Sequence, residues 1–165
     1  MPANFIMSKE IAYRKIQRIA YEITEHNINE KQIIIAGIKK NGLIIANILH
    51  GFLKEIFKGE IIVIGINLNK KDPKNASVSD EIDFENKIVI ITDDVVNSGR
   101  TLLYALKPFL DFYPKKIQTL VLVERSHKEF PVTPDYVGLS ISTALSEKII
   151  VETEGGEILG ARINP

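Results

Sequence analysis

Two patterns of apolar residues alternate along the chain. Residues 8–26 place Ile11, Ala12, Ile16, Ile19, Ala20 and Ile23 at helical spacing, which predicts a helix with one buried face. Ser8 is its predicted N-cap. Residues 32–37, QIIIAG, form a short unbroken apolar run, as expected of a strand covered on both faces. Asn41-Gly42 breaks the run, and residues 43–57 read as a second helix. Residues 60–68, EIIVIGINL, predict the next strand. Residues 69–86 are polar, with Pro73, Asn75, Ser77 and Ser79, and read as a long exposed loop of the length found in lids. Residues 87–93, KIVIITD, predict the central strand. Helix 101–112 follows, with a kink or early end expected at Pro108. Residues 117–124, IQTLVLVE, predict a fourth buried strand. Residues 136–139, 148–152 and 158–161 are shorter strand candidates, the last two joined by a tight turn at Gly155-Gly156.

Strands alternating with helices predict an α/β fold with a central, mostly parallel sheet flanked by helices. Ligands of such sheets bind at the carboxyl ends of the strands, which puts the loops after Gly37, Leu68, Asp94 and Glu124 on one rim. The 165 residues suit one domain, 1–165, without repeats or long linkers. Lys+Arg and Asp+Glu both number 21, so bulk electrostatic binding of nucleic acid is not expected. There is no Cys, which excludes disulfides, thiolate zinc sites and thiol nucleophiles. With only three His (His26, His50, His127), a multi-His metal site is not expected. No apolar run reaches the ~18–20 residues of a membrane span. MPANFIMSKE lacks the basic-then-apolar order of a secretory signal, so the expected location is the cytoplasm.

The chemistry concentrates in residues 88–106, IVIITDDVVNSGRTLLYAL. A buried strand delivers Asp93 and Asp94 to the rim. A short loop, Val95, Val96, Asn97, Ser98 and Gly99, turns the chain, and Arg100-Thr101 opens a helix. Unpaired N–H groups at a helix start attract phosphate, Gly99 permits close backbone approach, and Ser98 and Thr101 add hydroxyl donors. The two carboxylates suit sugar hydroxyls or Mg²⁺ held through its waters. The segment therefore reads as a sugar-phosphate site. Each feature alone has an ordinary explanation, since acid pairs also cap helices and Ser-Gly turns are common. No GxxxxGK[ST] or GxGxxG is present. Phospho-acceptor receiver domains also place acids at strand ends, but near the N-terminus.

In order, an apolar strand, two acids, two apolar residues, one variable residue and Ser-Gly-Arg-Thr resemble the phosphoribosyl-pyrophosphate (PRPP) motif of type I phosphoribosyltransferases. Residues 121–151, VLVERSHKEFPVTPDYVGLSISTALSEKIIV, resemble the second half of the bifunctional pyrimidine-operon attenuator and uracil phosphoribosyltransferase family. AGIKKNGLIIA at 36–46 is similar to that family's pyrophosphate loop, and RKIQRIAYEITEHN at 14–27 to its first helix. The resemblance implies the type I fold with a small hood over the base site, a homodimer or larger assembly, Mg²⁺, and transfer from PRPP to uracil giving UMP and pyrophosphate. By the same resemblance Asp93 and Asp94 hold the ribose hydroxyls, and with them the metal indirectly. Residues 97–101 cradle the 5′-phosphate, and Lys39, Lys40 and Gly42 meet pyrophosphate. Lys70 and Lys71 begin a lid, Arg125 and His127 flank the base pocket, and Tyr136 and Val137 stack on and read the base.

Three features depart from the family pattern. Asn41 replaces the arginine of the usual Lys-Thr-Arg-Gly loop, and so a forked donor for pyrophosphate. Asn97 replaces a tyrosine, and Glu124 stands where purine enzymes carry lysine. Gln17 and Tyr21 occupy first-helix positions where the attenuators have the Thr and His that contact RNA, although Arg14, Lys15 and Arg18 keep that helix basic. Two alternatives follow: a PRPP- or nucleotide-sensing regulator of pyrimidine genes acting on RNA with weak turnover, and salvage of a purine base.

Overall fold

The computed structural model describes residues 4–165. The first three residues, part of the stretch read for a signal, lie outside the described residues. The continuous apolar runs become the inner strands of a six-stranded sheet: β2 (Gln32–Ile38), β3 (Glu60–Asn69), β5 (Ile88–Val96) and β6 (Lys116–Arg125). With β4 (Asp72–Val78) and β7 (Tyr136–Ile141) the order is β4-β3-β2-β5-β6-β7. All neighbours are parallel except β3 and β4. Parallel strands need crossovers, and α2 (Asn41–Leu53) and α3 (Arg100–Ala105) supply two of them.

Both faces are covered. Ile33, Ile35, Ile88, Ile90, Leu120 and Leu122 pack under α1 (Lys9–His26) and α2, whereas Ile34, Ile64, Val89, Ile91 and Val121 pack under α3 and the 3-10 turn Lys107–Phe109. Strict alternation of these residues between the two clusters is the period of two of a strand. Each fully buried Ile contributes about 1.5–3 kcal/mol relative to exposure.

Helix α1 begins where its sequence predicts: the Ser8 hydroxyl accepts the N–H of Ile11. Ala12, Ile16, Ile19, Ala20 and Ile23 are buried, but Ile11 is exposed, so the apolar stripe is narrower than expected. A second sheet, β1-β9-β8, joins β1 (Phe5–Ser8) to β9 (Glu157–Asn164) and β9 to β8 (Lys148–Glu154), all antiparallel. Met7, Ile149, Val151, Ile158 and Ala161 seat it against the α1–α2 side of the core, where it forms a hood.

Three local expectations need correction. The 69–86 loop contains β4, an edge strand whose alternating exposure hides it among polar residues. Helix α2 starts and ends earlier than 43–57. Strand β5 runs on to Val96, so Val95 and Val96 belong to a strand rather than a loop. As expected, α3 stops short of residue 112: it ends at Ala105, and a 3-10 turn, Lys107–Phe109, carries the chain through Pro108, which lacks the N–H a longer helix needs. Among the described residues no helix is long and apolar enough to cross a membrane.

Candidate active site

Asp93 and Asp94 are the sixth and seventh residues of β5, and neighbouring strand residues point to opposite faces. Thr92 is buried toward α2, where its hydroxyl donates to the Gly42 carbonyl at 2.7 Å. Asp93 faces the other way and is 1% exposed. One of its oxygens accepts the N–H of Asp94 at 2.9 Å. The Lys70 ammonium donates to both Asp93 oxygens at 3.1 and 3.3 Å and lies 3.5 Å from Asp94 Oδ1. Burial and the Asp94 charge push the Asp93 carboxyl up to about 8, against the pull of Lys70. Burial works against the Lys70 ammonium, but the two carboxylates outweigh it and hold Lys70 above the ordinary lysine value. Asp94 also accepts the N–H of Val95 at 2.8 Å and of the Asn41 amide at 2.9 Å.

A cavity of about 80 Å³ opens beside Asp93, lined by Lys70, Val95, Val96 and residues 97–102. Gly99 adopts φ +92°, a left-handed conformation that favours glycine, and it turns the strand into α3. A Cβ there would also stand 3.4 Å from the Phe130 carbonyl. The Ser98 hydroxyl accepts the N–H of Arg100, and the Ser98 carbonyl accepts the N–H groups of both Glu129 and Phe130. The segment after β6 thus braces the phosphate-type loop from outside. Arg100 donates to the Lys70 carbonyl at 3.1 Å at the cavity wall, tying the start of the lid to α3.

Lys39, Lys40 and Gly42 lie alongside. The Lys39–Lys40 peptide is cis, and both side chains are exposed. No side chain caps the N-terminus of α2. Gly42 has no room for a side chain: a Cβ would stand 2.4 Å from the Thr92 carbonyl, so α2 begins pressed against β5. The Lys39 chain crosses β3 at Gly65, where a Cβ would come 2.6 Å from its Cε. Lys71 is exposed in the β3–β4 turn, its N–H bonded to Asn69 Oδ1.

The base side differs from expectation. Tyr136 is 1% exposed in the α1-side core, and its hydroxyl meets Gln118 at 2.7 Å and His26 at 3.0 Å. Its ring therefore cannot stack on a base in this arrangement, and burial pushes the phenol up to about 12. Val137 is in register with Val121 and through it with Asp93, but its carbonyl is taken by Arg18 at 2.9 Å. The Arg125 guanidinium is spent on the turn after β7, bonding Thr143 Oγ1 at 2.7 Å, the Glu147 carbonyl at 3.0 Å and the Ala144 carbonyl. His127 is exposed, and Glu124 pairs with Lys128. Sequence reading missed the Glu129–Phe130 brace and the contacts of Asn41.

The phosphoribosyl transferase domain model matches residues 6–155. The chain belongs to the phosphoribosyl transferase family. Among relatives of this phosphoribosyltransferase, it is 37% identical over 161 residues to bifunctional protein PyrR of Haemophilus ducreyi, covering 92% of this chain and 90% of that one. It is 36% identical over 163 residues to the Enterococcus faecalis protein of the same name, covering 93% and 92%. Its fold is similar to the hypoxanthine phosphoribosyltransferase of Trypanosoma cruzi, with a TM-score of 0.79 at 18% identity over 98% and 97% of the chains. A Bacillus anthracis hypoxanthine-guanine phosphoribosyltransferase has a TM-score of 0.73 at 19% identity, covering 89% and 85%. The architecture is thus the type I phosphoribosyltransferase fold, and the activity class is that of a pentosyltransferase.

Proposed function

We propose that this chain transfers the 5-phosphoribosyl group of PRPP to uracil, giving UMP and pyrophosphate. The observation that carries this reading is the single cavity that joins Asp93 to the 97–101 loop. The loop N–H groups with Ser98 and Thr101 receive the 5′-phosphate. Asp93 and Asp94 accept hydrogen bonds from the ribose hydroxyls once Lys70 swings off them, and the start of α2 with Lys39 and Lys40 meets pyrophosphate. The bond from C1 to the pyrophosphate oxygen breaks, a C1–nitrogen bond to the base forms, and the nitrogen proton leaves to solvent. The developing positive charge on the sugar is stabilised by carboxylates fixed beforehand, so positioning and electrostatics carry the rate.

Mg²⁺ fits this donor set. Two hard carboxylates already hold a cationic group, the Lys70 ammonium, between them. Asp93 and Asp94 would hold the ion through water or the ribose, and the ion would supply neutralising charge for the leaving group. The resemblance of residues 121–151 supports a pyrimidine base, as does Glu124 in place of the lysine of purine enzymes. It also supports a homodimer or larger assembly.

One observation favours a second reading. The Asn41 amide is turned inward and gives pyrophosphate no donor, which suits a PRPP- or nucleotide-sensing regulator with weak turnover. The test is pyrophosphate release from PRPP and Mg²⁺ with uracil, hypoxanthine, guanine and xanthine, alongside calorimetric titration with PRPP and UMP. Release with uracil is expected. Binding without release supports the regulator, release with a purine alone refutes uracil, and neither binding nor release overturns the whole reading.

A further inference from the structure

We propose that Asn41 is a positioning residue that locks Asp94 to the hood, so that affinity for the ribose of PRPP depends on the seating of β8. This rests on the reading that the cavity beside Asp93 and Asp94 binds PRPP. Asn41 opens α2 and is half-buried among three elements. Its Nδ2 donates to Asp94 Oδ2 at 2.9 Å and to the Val151 carbonyl at 3.2 Å, and its Oδ1 accepts the Thr153 hydroxyl at 3.0 Å. Both amide hydrogens and one acceptor position are used. Flipping the amide would set its oxygen against a carboxylate and a carbonyl, so the network fixes one orientation.

The consequence for Asp94 follows from its partners. One oxygen is held by the N–H of Val95 and faces Lys70, and the other by Asn41. Lys70 is half-exposed and must leave when ligand binds, whereas Asn41 lies on the opposite oxygen and stays. With the ammonium gone, Asn41 and the Val95 N–H alone set the carboxylate plane. Because Asn41 is itself held by Val151 and Thr153, displacement of β8 turns Asp94. A guanidinium at position 41 carries donors only, so the Thr153 hydroxyl could not donate to it as it does to the amide oxygen.

The experiment measures KM for PRPP, KM for uracil, kcat and thermal midpoint for Asn41→Ala, Thr153→Val, Thr153→Ser and the Asn41→Ala/Thr153→Val double variant, with calorimetric PRPP binding in Mg²⁺ as a second readout. Asn41→Ala removes a hydrogen bond to a charged group and is expected to weaken PRPP about tenfold, leaving KM for uracil within about twofold. Thr153→Val never touches Asp94 and has nearly the same shape, yet it is expected to weaken PRPP about threefold, while Thr153→Ser restores it. The double variant is expected to be no worse than Asn41→Ala, as for residues acting through one another. Unchanged PRPP affinity in Asn41→Ala or Thr153→Val, with only the thermal midpoint lowered, overturns the inference and leaves the proposed function standing. Wild-type protein that neither binds PRPP nor releases pyrophosphate overturns both.

Discussion

Replacing Asp93 with asparagine should stabilise the fold while destroying the site. The carboxyl is 1% exposed and held near 8, against an ordinary value of 3.8. An unfolded chain releases this proton near 3.8 and the folded chain near 8, so between those values the folded state holds more protons and stability falls as pH rises. At about 1.4 kcal/mol per pH unit, the ionised group costs up to about 6 kcal/mol above pH 8 and almost nothing at pH 4. Asparagine never ionises, and its carbonyl still accepts the Asp94 N–H. Allowing for relaxation around the charge, Asp93→Asn should gain about 2–4 kcal/mol at pH 8.5 and about zero at pH 4.5. Urea unfolding of both proteins at the two pH values measures this, because the difference between them cancels the titration of groups remote from Asp93. At pH 8.5 the same variant should bind PRPP at least tenfold more weakly, having lost a charged acceptor. Equal gains at both pH values, or a loss at pH 8.5, would refute the reasoning.

Lys70→Ala leaves Asp93 and Asp94 facing each other without a counter-charge. It should lose about 1 kcal/mol at pH 8.5, modest because the ammonium is half-exposed, and less at pH 4.5, where Asp93 holds its proton, again by urea unfolding. Gly42→Ala drives a methyl to 2.4 Å from the Thr92 carbonyl and should cost at least about 2 kcal/mol, whereas Gly51→Ala, with nothing within 4 Å, should gain up to about 1 kcal/mol; thermal unfolding compares them. Arg125→Met frees the turn at residues 143–147, should cost about 1–3 kcal/mol, and should speed limited proteolysis there.

The sequence is legible where physics acts locally. Strands β2, β5 and β6 are buried on both faces, so each is written as an unbroken apolar run. The phosphate-type loop lies within nine residues of Asp93 and carries its own turn glycine at position 99. Strand β4 is hidden because an edge strand with alternating exposure looks like a polar loop. Strand β1 is hidden because four residues gain meaning only against residues 160–162. Tyr136 sits in a segment matched to the family, but alternation along β7 points its ring into the core, and one position decides which face a strand residue meets. Asn41 reads as a lost guanidinium until Thr153, 112 residues away, is seen against it.

The hood pairs Phe5 with Arg162, the two ends of the described chain. Contacts so distant along the backbone carry a large loop-closure cost and tend to form after local ones. On the ribosome, β5 and its paired acids emerge some seventy residues before β9. A nascent chain can therefore display the acids and the phosphate-type loop while Asn41 still lacks its β8 partners, which β9 must hold in place. Affinity for the sugar phosphate should therefore rise again once β8 and β9 have paired and completed the joint at Asn41.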